Sequence, residues 1–305
     1  MSAAKLRIGT RGSALALAQA GTVAEAIGSA ELVPIKTAGD EGGSSHGDPT
    51  DKARFVREIE RALLEGEVDL AVHSAKDLPI EIPAGLALAG VPPRELPADA
   101  WVGPAGSLEQ VPEGARVGTS SLRRRSQLLA LRPDLEIVGV RGNVDTRLRK
   151  LAAGELDALV LAAAGLRRLG RASEISFALG PLELTPSAGQ GALALEVRAG
   201  DQRAAAAAAA LTHPRALIEL TAERAVVRAL GADCDTPLGV SSVRESERLA
   251  LVAYAGDAYG RAWARESVIG DPGQPVAVAE ALVERLRAVG AEEILQQARE
   301  APNAD

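Results

Sequence analysis

The residues best suited to chemistry in this sequence are basic, and they are concentrated in one stretch. Residues 116–150 contain nine basic and three acidic residues, a local net charge of +6 in a chain of net charge −7. Arg123 and Arg124 fall in the first turn of a predicted helix, where cations oppose the helix dipole. We therefore expect an anion there, bound by guanidinium groups, serine hydroxyls and backbone N–H groups. The alternative is a solvated charged face.

Similar polar residues follow other predicted strands. Arg11 and Ser13 repeat the combination of arginine and helix-capping serine near the N-terminus. In open parallel sheets, ligands bind beyond the carboxyl ends of the strands. The residues that follow predicted strands in this way are Arg11, Ser74, Lys76, Thr119 and Arg141.

Residues 73–79, His-Ser-Ala-Lys-Asp-Leu-Pro, end the third predicted strand. They place the cation of Lys76 beside the carboxylate of Asp77. An aspartate at such a sheet edge could stabilise a cationic intermediate and transfer protons. The alternative is a Lys–Asp surface turn before a proline.

Cys234 is the single thiol and lies in a loop bounded by glycine and proline, a common location for functional residues. The flanking Asp233 and Asp235 should raise the pKa of this thiol by charge repulsion. The alternative is an inert small residue. With three scattered histidines and one cysteine we expect no metal site.

Short aliphatic runs alternate with helical patterns, which predicts βαβ units and a largely parallel sheet. Strands are predicted at 6–10, 31–37, 68–73, 117–119, 136–140 and 156–161. Helices are predicted at 14–27, 52–65, 122–131, 144–153, 204–210, 216–230 and 276–289, and a hairpin at 249–254 and 261–268. Two echoes indicate a repeat of two α/β lobes: 8–13 resembles 117–121, and 66–72 resembles 154–160. Prolines near 92–97 and the Gly-Gln-Gly at 189–191 mark the crossings between lobes.

Composition excludes several broad classes. The 305 residues are 47% hydrophobic and 25% charged, which is typical of a globular protein. An acidic chain with 2% aromatic residues is poorly suited to nucleic acid or base stacking. No apolar run reaches the roughly 20 residues that span a bilayer, and the N-terminus has no secretory pattern. We therefore expect a cytoplasmic protein with no membrane or nucleic-acid partner.

These segments together resemble the hydroxymethylbilane synthase (porphobilinogen deaminase) family. The matching segments occur in the family's order over nearly the whole chain and are 8–17, 73–79, 118–124, 141–148, 164–170, 189–192 and the Cys234 loop. The resemblance implies an α/β fold with two periplasmic-binding-protein-like lobes, 1–92 with 190–211 and 97–186. It also implies a smaller C-terminal α+β domain, 213–305, which carries the cysteine.

The resemblance further implies the chemistry. Four porphobilinogen molecules would condense head to tail with loss of ammonia, giving the linear tetrapyrrole hydroxymethylbilane of haem biosynthesis. The primer would be a dipyrromethane cofactor joined by a thioether to Cys234, and the protein would be a monomer. The residue matching Asp77 would be the catalytic acid, base and cation stabiliser. Cofactor contacts are implied for Ser74, Lys76, Thr119, Ser121, Arg123, Arg124 and Arg141, and substrate contacts for Arg11, Ser13, Arg147 and Arg168.

Three features depart from the family pattern. Residues 49–55 replace the usual glycine-rich sequence before the second helix, Asp145 stands near Arg147 in place of glycine, and Asp233 replaces glycine before the cysteine. Two other functions remain open on the residues alone. One is a non-enzymatic anion-binding module with the same lobes. The other is a nucleic-acid binder, which would need the +6 stretch to form a continuous strip.

Overall fold

The computed structural model describes residues 5–35, 50–233, 236–245 and 247–300. The chain divides into two compact units. The first, Met1–Glu95 with Gly191–Leu217, is named the first lobe here. The second contains Leu96–Gln190 and Ile218–Asp305, named the second lobe and the C-terminal region. The boundaries of the three predicted domains stay predictions.

Helices and strands alternate over residues 6–74 and 116–162 as the sequence predicts, whereas the strands at 86–90, 99–102, 177–179, 193–198 and 238–245 were not predicted. The strands are β1 Leu6–Arg11, β2 Ala30–Ile35, β3 Leu70–Ser74, β4 Leu86–Gly90, β5 Asp99–Val102, β6 Arg116–Gly118, β7 Glu136–Val138, β8 Ala158–Ala162, β9 Phe177–Leu179, β10 Leu193–Arg198, β11 Leu238–Glu245, β12 Arg248–Gly256 and β13 Trp263–Gly270. The helices are α1 Ala14–Ile27, α2 Thr50–Leu64, α3 Leu122–Leu131, α4 Val144–Ala152, α5 Ala163–Arg168, α6 Gln202–Ala210, α7 Pro214–Ala229, α8 Pro275–Ala288 and α9 Ala291–Glu300.

The two lobes have the same sheet topology. The first sheet has the order β2-β1-β3-β10-β4 and the second has the order β7-β6-β8-β5-β9. In each, three parallel strands are followed by one antiparallel strand, β10 or β5, which enters directly after the chain crosses between lobes. This order confirms the predicted α/β class and the predicted repeat.

An arginine–aspartate ion pair occurs at the same place in both sheets. Arg7 at the start of β1 binds Asp69 before β3, with 2.7 Å between Nη2 and Oδ1, and also donates to the carbonyl of Gly66. Arg116 at the start of β6 binds Asp157 before β8 at 2.9 Å and donates to the carbonyl of Gly154. The sequence echo between 66–72 and 154–160 therefore marks the same arginine–aspartate clamp in each lobe.

Each sheet has helices on both faces, which buries its aliphatic side chains. In the first lobe, Leu70 and Val72 pack with α1 and α6, while Ala71 packs with Ile59 and Ala62 of α2. Opposite faces are covered in this way because successive strand residues point to opposite sides. In the second lobe, Leu148 of α4 packs with strand residues of one face.

The C-terminal region packs an antiparallel sheet, β11-β12-β13, against α7, α8 and α9. Its contact with the second lobe runs along α3. The hydroxyls of Ser126 and Tyr254 are 2.8 Å apart, and a Cβ atom at Gly260 would overlap the α3 backbone at Ser126 and Ala130. Among the residues that the structure describes, no helix combines the length and apolarity that a bilayer crossing requires.

Candidate active site

The predicted site residues of the first lobe lie at one edge of its sheet. β1 and β3 are parallel neighbours, so Arg11, which ends β1, and Ser74, which ends β3, share the carboxyl edge. Ser13 caps α1, since its Oγ accepts from the backbone N–H of Ala16 at 3.3 Å. Both Arg11 and Ser13 are partly exposed. This is the arrangement that the sequence predicts at the first helix.

A short 3-10 turn, Ala75–Asp77, follows β3 and carries the predicted catalytic side chain. The backbone N–H of Ala75 donates to the carbonyl of Ala192 at 3.0 Å, and Gln19 Nε2 donates to Ser74 Oγ at 3.1 Å. Lys76 and Asp77 are partly exposed. The turn is therefore anchored at its start and presents a cation and a carboxylate to solvent.

The N-terminus of α3 holds the corresponding residues of the second lobe. Ser121 caps the helix, accepting from the N–H of Arg124 at 3.4 Å. Thr119 is buried, and its Oγ1 accepts from the N–H of Ser121 at 3.2 Å. Thr119 and Ser121 therefore order the loop between β6 and α3.

Arg123 and Arg124 are buried and share a carboxylate of the chain, Asp99. Asp99 is fully buried and lies 2.8 Å from Arg123 Nη1 and 2.7 Å from Arg124 Nη2. Burial opposes ionisation of Asp99, but the two arginines outweigh it and hold its pKa well below the usual range. The anion that the sequence required beside these arginines thus includes Asp99, and their predicted cofactor contacts stay predictions.

Additional acceptors hold the same two arginines in place. Arg123 Nε donates to Ser187 Oγ at 3.0 Å, and its Nη1 donates to the carbonyl of Thr185 at 2.7 Å. Arg124 Nη1 donates to the carbonyl of Val160 at 3.1 Å. The amide of Gln190 donates to Asp99 Oδ1 at 3.0 Å. Sequence reasoning missed Asp99 and Gln190 as parts of this network, although the excess of arginine at α3 indicated that an acidic partner was needed.

Other predicted anion-binding residues surround the carboxyl edge of the second sheet. Arg141 is exposed after β7, and Arg168 is partly exposed at the end of α5, which follows β8. Arg147 Nε donates to the carbonyl of Gly142 at 2.9 Å. Burial, and then the positive charge of Arg124, lower the pKa of Arg147. Within the described part of the chain, no carboxylate is within ion-pair distance of Arg147.

The departures from the family pattern have local explanations in two cases. Asp145 forms an ion pair with Arg171 at 2.9 Å, so its charge has a partner other than Arg147. Asp233 Oδ1 accepts from the hydroxyl of Thr236 at 2.6 Å. Cys234 lies outside the described residues, as does Pro49 of the atypical segment 49–55, whose other residues begin α2.

Much of the basic stretch is neutralised within the chain. Within the described residues, four of its nine basic residues form ion pairs: Arg116 with Asp157, Arg123 and Arg124 with Asp99, and Arg132 with Asp134. A continuous strip that tracks phosphates would need these charges to be available. This pairing disfavours the nucleic-acid hypothesis.

Comparison with known proteins covers nearly the whole chain. Residues 6–206 match the family model "Porphobilinogen deaminase, dipyromethane cofactor binding domain", and residues 217–288 match "Porphobilinogen deaminase, C-terminal domain". The porphobilinogen deaminase of Thermus thermophilus is 46% identical over 300 residues, covering 96% of this chain and 98% of that protein. That of Syntrophotalea carbinolica is 44% identical over 311 residues, covering 97% and 96%.

One solved structure that the comparison found is weakly similar in shape. A periplasmic binding protein from Brucella ovis with glutathione bound has a TM-score of 0.41 and 17% identity, covering 75% of this chain and 73% of that one. The fold assignment therefore depends on the strand order of the two sheets. The sequence matches decide the family: this chain belongs to the porphobilinogen deaminases.

Proposed function

We propose that this chain joins four porphobilinogen molecules head to tail, releasing ammonia, on a dipyrromethane primer bound through a thioether to Cys234. Family membership makes the chain a transferase, a hydroxymethylbilane synthase with a dipyrromethane cofactor-binding domain. The identity of 46% over 96% of the chain is the observation that carries the proposal. Action in the cytoplasm as a monomer stays a prediction.

The cationic residues of the second lobe fit a ligand with several carboxylates. Each pyrrole unit carries an acetate and a propionate group. Arg147 has no carboxylate partner within the described residues, and its partial burial beside Arg124 would strengthen its attraction for an anion. Arg141 and Arg168 would add planar guanidinium donors at the same sheet edge. We infer that these three arginines bind side-chain carboxylates of the cofactor and substrate.

Asp77 and Lys76 are suited to act at the reacting end of the growing pyrrole chain. In each condensation, the C–N bond of the substrate's aminomethyl group breaks and ammonia leaves. A C–C bond forms between that methylene carbon and the unsubstituted carbon of the terminal pyrrole, which then loses its proton. The Asp77 carboxylate would stabilise the positive charge left on the substrate and then accept that proton. Lys76 would bind a neighbouring carboxylate. The dipyrromethane group, when bound, would supply the terminal pyrrole to which substrate is added.

Intact-protein mass spectrometry tests the attachment directly. We expect wild-type protein, expressed with haem precursors available, to exceed the bare chain by two porphobilinogen units less two ammonia molecules. Cys234→Ser should have the mass of the bare chain, because the oxygen nucleophile cannot form the thioether. A wild-type mass equal to the bare chain would contradict the proposal.

Porphobilinogen consumption tests the role of Asp77. Asp77→Asn should retain at least part of the added mass but turn over about 10²- to 10⁴-fold more slowly, because the amide neither carries negative charge nor accepts a proton. Asp271→Asn, a matched change at an exposed turn in the C-terminal region, should consume substrate normally. Normal consumption by Asp77→Asn would reject its catalytic role.

A further inference from the structure

Three ionisable side chains form a buried cluster inside the first lobe. His73 is 5% exposed, Glu60 is 4% exposed and Glu196 is fully buried. His73 Nε2 and Glu196 Oε2 are 3.1 Å apart. Burial, and next the negative charge of Glu196, raise the pKa of Glu60, while His73 and Arg57 oppose the shift. Burial of ionisable groups is unfavourable unless hydrogen bonds or opposite charges replace the lost water, so the cluster requires an explanation.

The strand register explains how these residues meet. β10 runs antiparallel to β3, with Ala194 opposite His73 and Glu196 opposite Ala71. Side chains of paired residues share a face, and so do residues two apart on one strand. His73 and Glu196 therefore lie on the face that Ala71 presents to α2, the helix that carries Glu60.

The repeat shows that the fold itself does not need this cluster. Counting from the paired glycines Gly66 and Gly154, His73 corresponds to Leu161 and Glu60 corresponds to Leu148. Glu196 lies opposite Ala71, which corresponds to Leu159 on the same count. In the second sheet Val102 lies opposite Leu159, so Glu196 corresponds to Val102. Val102, Leu148 and Leu161 pack together in one apolar cluster. The same architecture is thus built once with three ionisable side chains and once with three aliphatic ones.

The lobes also differ in the turn that follows the strand. The first lobe has Lys76 and Asp77 there, and the second has Ala164 and Gly165 at the corresponding positions. His73 is the last buried residue of β3 before that turn. The buried ionisable side chains therefore occur in the lobe that carries the Lys76–Asp77 turn, and aliphatic residues replace them in the lobe that lacks it.

We propose that His73, held by Glu196, is a positioning residue that fixes the Ser74–Asp77 turn and so orients the Asp77 carboxylate. The inference rests on the function proposed above. An imidazole bound to a buried carboxylate has one allowed ring orientation, which limits rotation of the backbone that leads into the turn. An aliphatic side chain at this position would fill the space without that directional constraint. Misplacement of a catalytic group by about 1 Å can lower the rate by up to about a hundredfold.

The test transplants the apolar cluster into the first lobe. The triple variant His73→Leu, Glu196→Val, Glu60→Leu should fold, by circular dichroism and urea unfolding, because the second lobe uses the same residues at these positions. We expect it to keep the cofactor mass and the wild-type KM for porphobilinogen, while kcat falls about ten- to a hundredfold. Leu161→Met, a volume-conserving change at the corresponding site, should leave kcat unchanged. A folded, loaded triple variant with wild-type kcat, or one whose KM alone rises, would overturn the inference.

Two conservative variants keep the test decisive if the triple variant does not fold. His73→Gln retains an N–H donor at the reach of Nε2 and should restore most of kcat. His73→Asn is also a neutral amide but is too short to reach Glu196, so its kcat should fall with that of the triple variant. Equal kcat values for the two would contradict the role of the Glu196 bond. A wild-type protein that neither gains the cofactor mass nor consumes porphobilinogen would instead reject the proposed function.

Discussion

At the scale of single residues, Asp99 is the acidic partner of the buried arginines Arg123 and Arg124. This fully buried carboxylate accepts hydrogen bonds from Arg124 and Gln190 and forms an ion pair with Arg123. Removing one partner of a buried ion pair is far more damaging than replacing the pair, because the remaining charge stays in a medium of low polarity. We therefore expect Asp99→Asn to lower the free energy of unfolding by about 3–5 kcal/mol, measured by urea denaturation at pH 7.

The pH dependence has a definite sign. Because the folded state holds the pKa of Asp99 below its unfolded value, its contribution is present above the unfolded carboxyl pKa of about 3.9 and is lost as pH falls below it. The difference in the free energy of unfolding between wild type and Asp99→Asn should therefore become smaller in acid. Asp134→Asn is the matched control, since Asp134 pairs with Arg132 near the surface and solvent screens it. If Asp99→Asn lowered the free energy of unfolding as little as Asp134→Asn does, the argument from a buried ion pair would be contradicted.

Residue types predicted part of this site and missed the rest for a physical reason. Two adjacent cations at the start of α3 indicate the need for a nearby negative charge, and this pattern is visible in neighbouring residues of the sequence. The carboxylate that meets part of that need lies 25 positions before Arg124, in a strand that only the folded sheet brings beside the helix. Likewise His73 lies within the 73–79 motif, but its partner Glu196 is 123 positions away.

At the scale of elements, Gly260 allows the C-terminal region to pack closely against α3. Gly260 has φ +70°, and a Cβ there would overlap backbone atoms of Ser126 and Ala130. Gly28 has a similar φ of +76° but open space around it. Gly28→Ala should cost only the left-handed backbone term, about 1 kcal/mol. Gly260→Ala should cost at least about 1 kcal/mol more, since α3 must also shift.

Urea unfolding of the two alanine variants measures this difference directly. Equal losses would show that the backbone conformation alone requires glycine at 260, and that the contact with α3 tolerates a methyl group. A larger loss for Gly260→Ala would confirm that close packing against α3 is what excludes a side chain there.

Elements with clear periodicity and caps were the ones that sequence predicted well. The helices at 14–27 and 122–131 have the predicted bounds, and each begins after a capping serine, Ser13 or Ser121. The strands at 99–102 and 193–198 were missed. Both pair on two sides inside a sheet, and both follow a crossing between lobes, so their pairing depends on distant strands.

At the scale of the whole molecule, the chain crosses between lobes at two places that contact each other. The backbone N–H of Glu95 donates to the carbonyl of Gly191, and the amide of Gln190 donates to the carbonyl of Pro97 at 2.6 Å and to Asp99. Prolines and the Gly-Gln-Gly sequence predicted both crossings. Their contact could not be predicted, because it joins segments more than 90 positions apart.

Gln190 is the side chain that joins this crossing to the arginine network. It is fully buried, so Gln190→Leu would leave the Pro97 carbonyl without that donor and Asp99 with one donor fewer. We expect a loss of about 1–3 kcal/mol in the free energy of unfolding. Gln274→Leu, at an exposed position before α8, should change it little. Because Gln190 and Asp99 share a hydrogen bond, the Gln190→Leu, Asp99→Asn double variant should deviate from additivity by at least about 0.5 kcal/mol. Additive losses would mean that the crossing and the arginine network are stabilised independently.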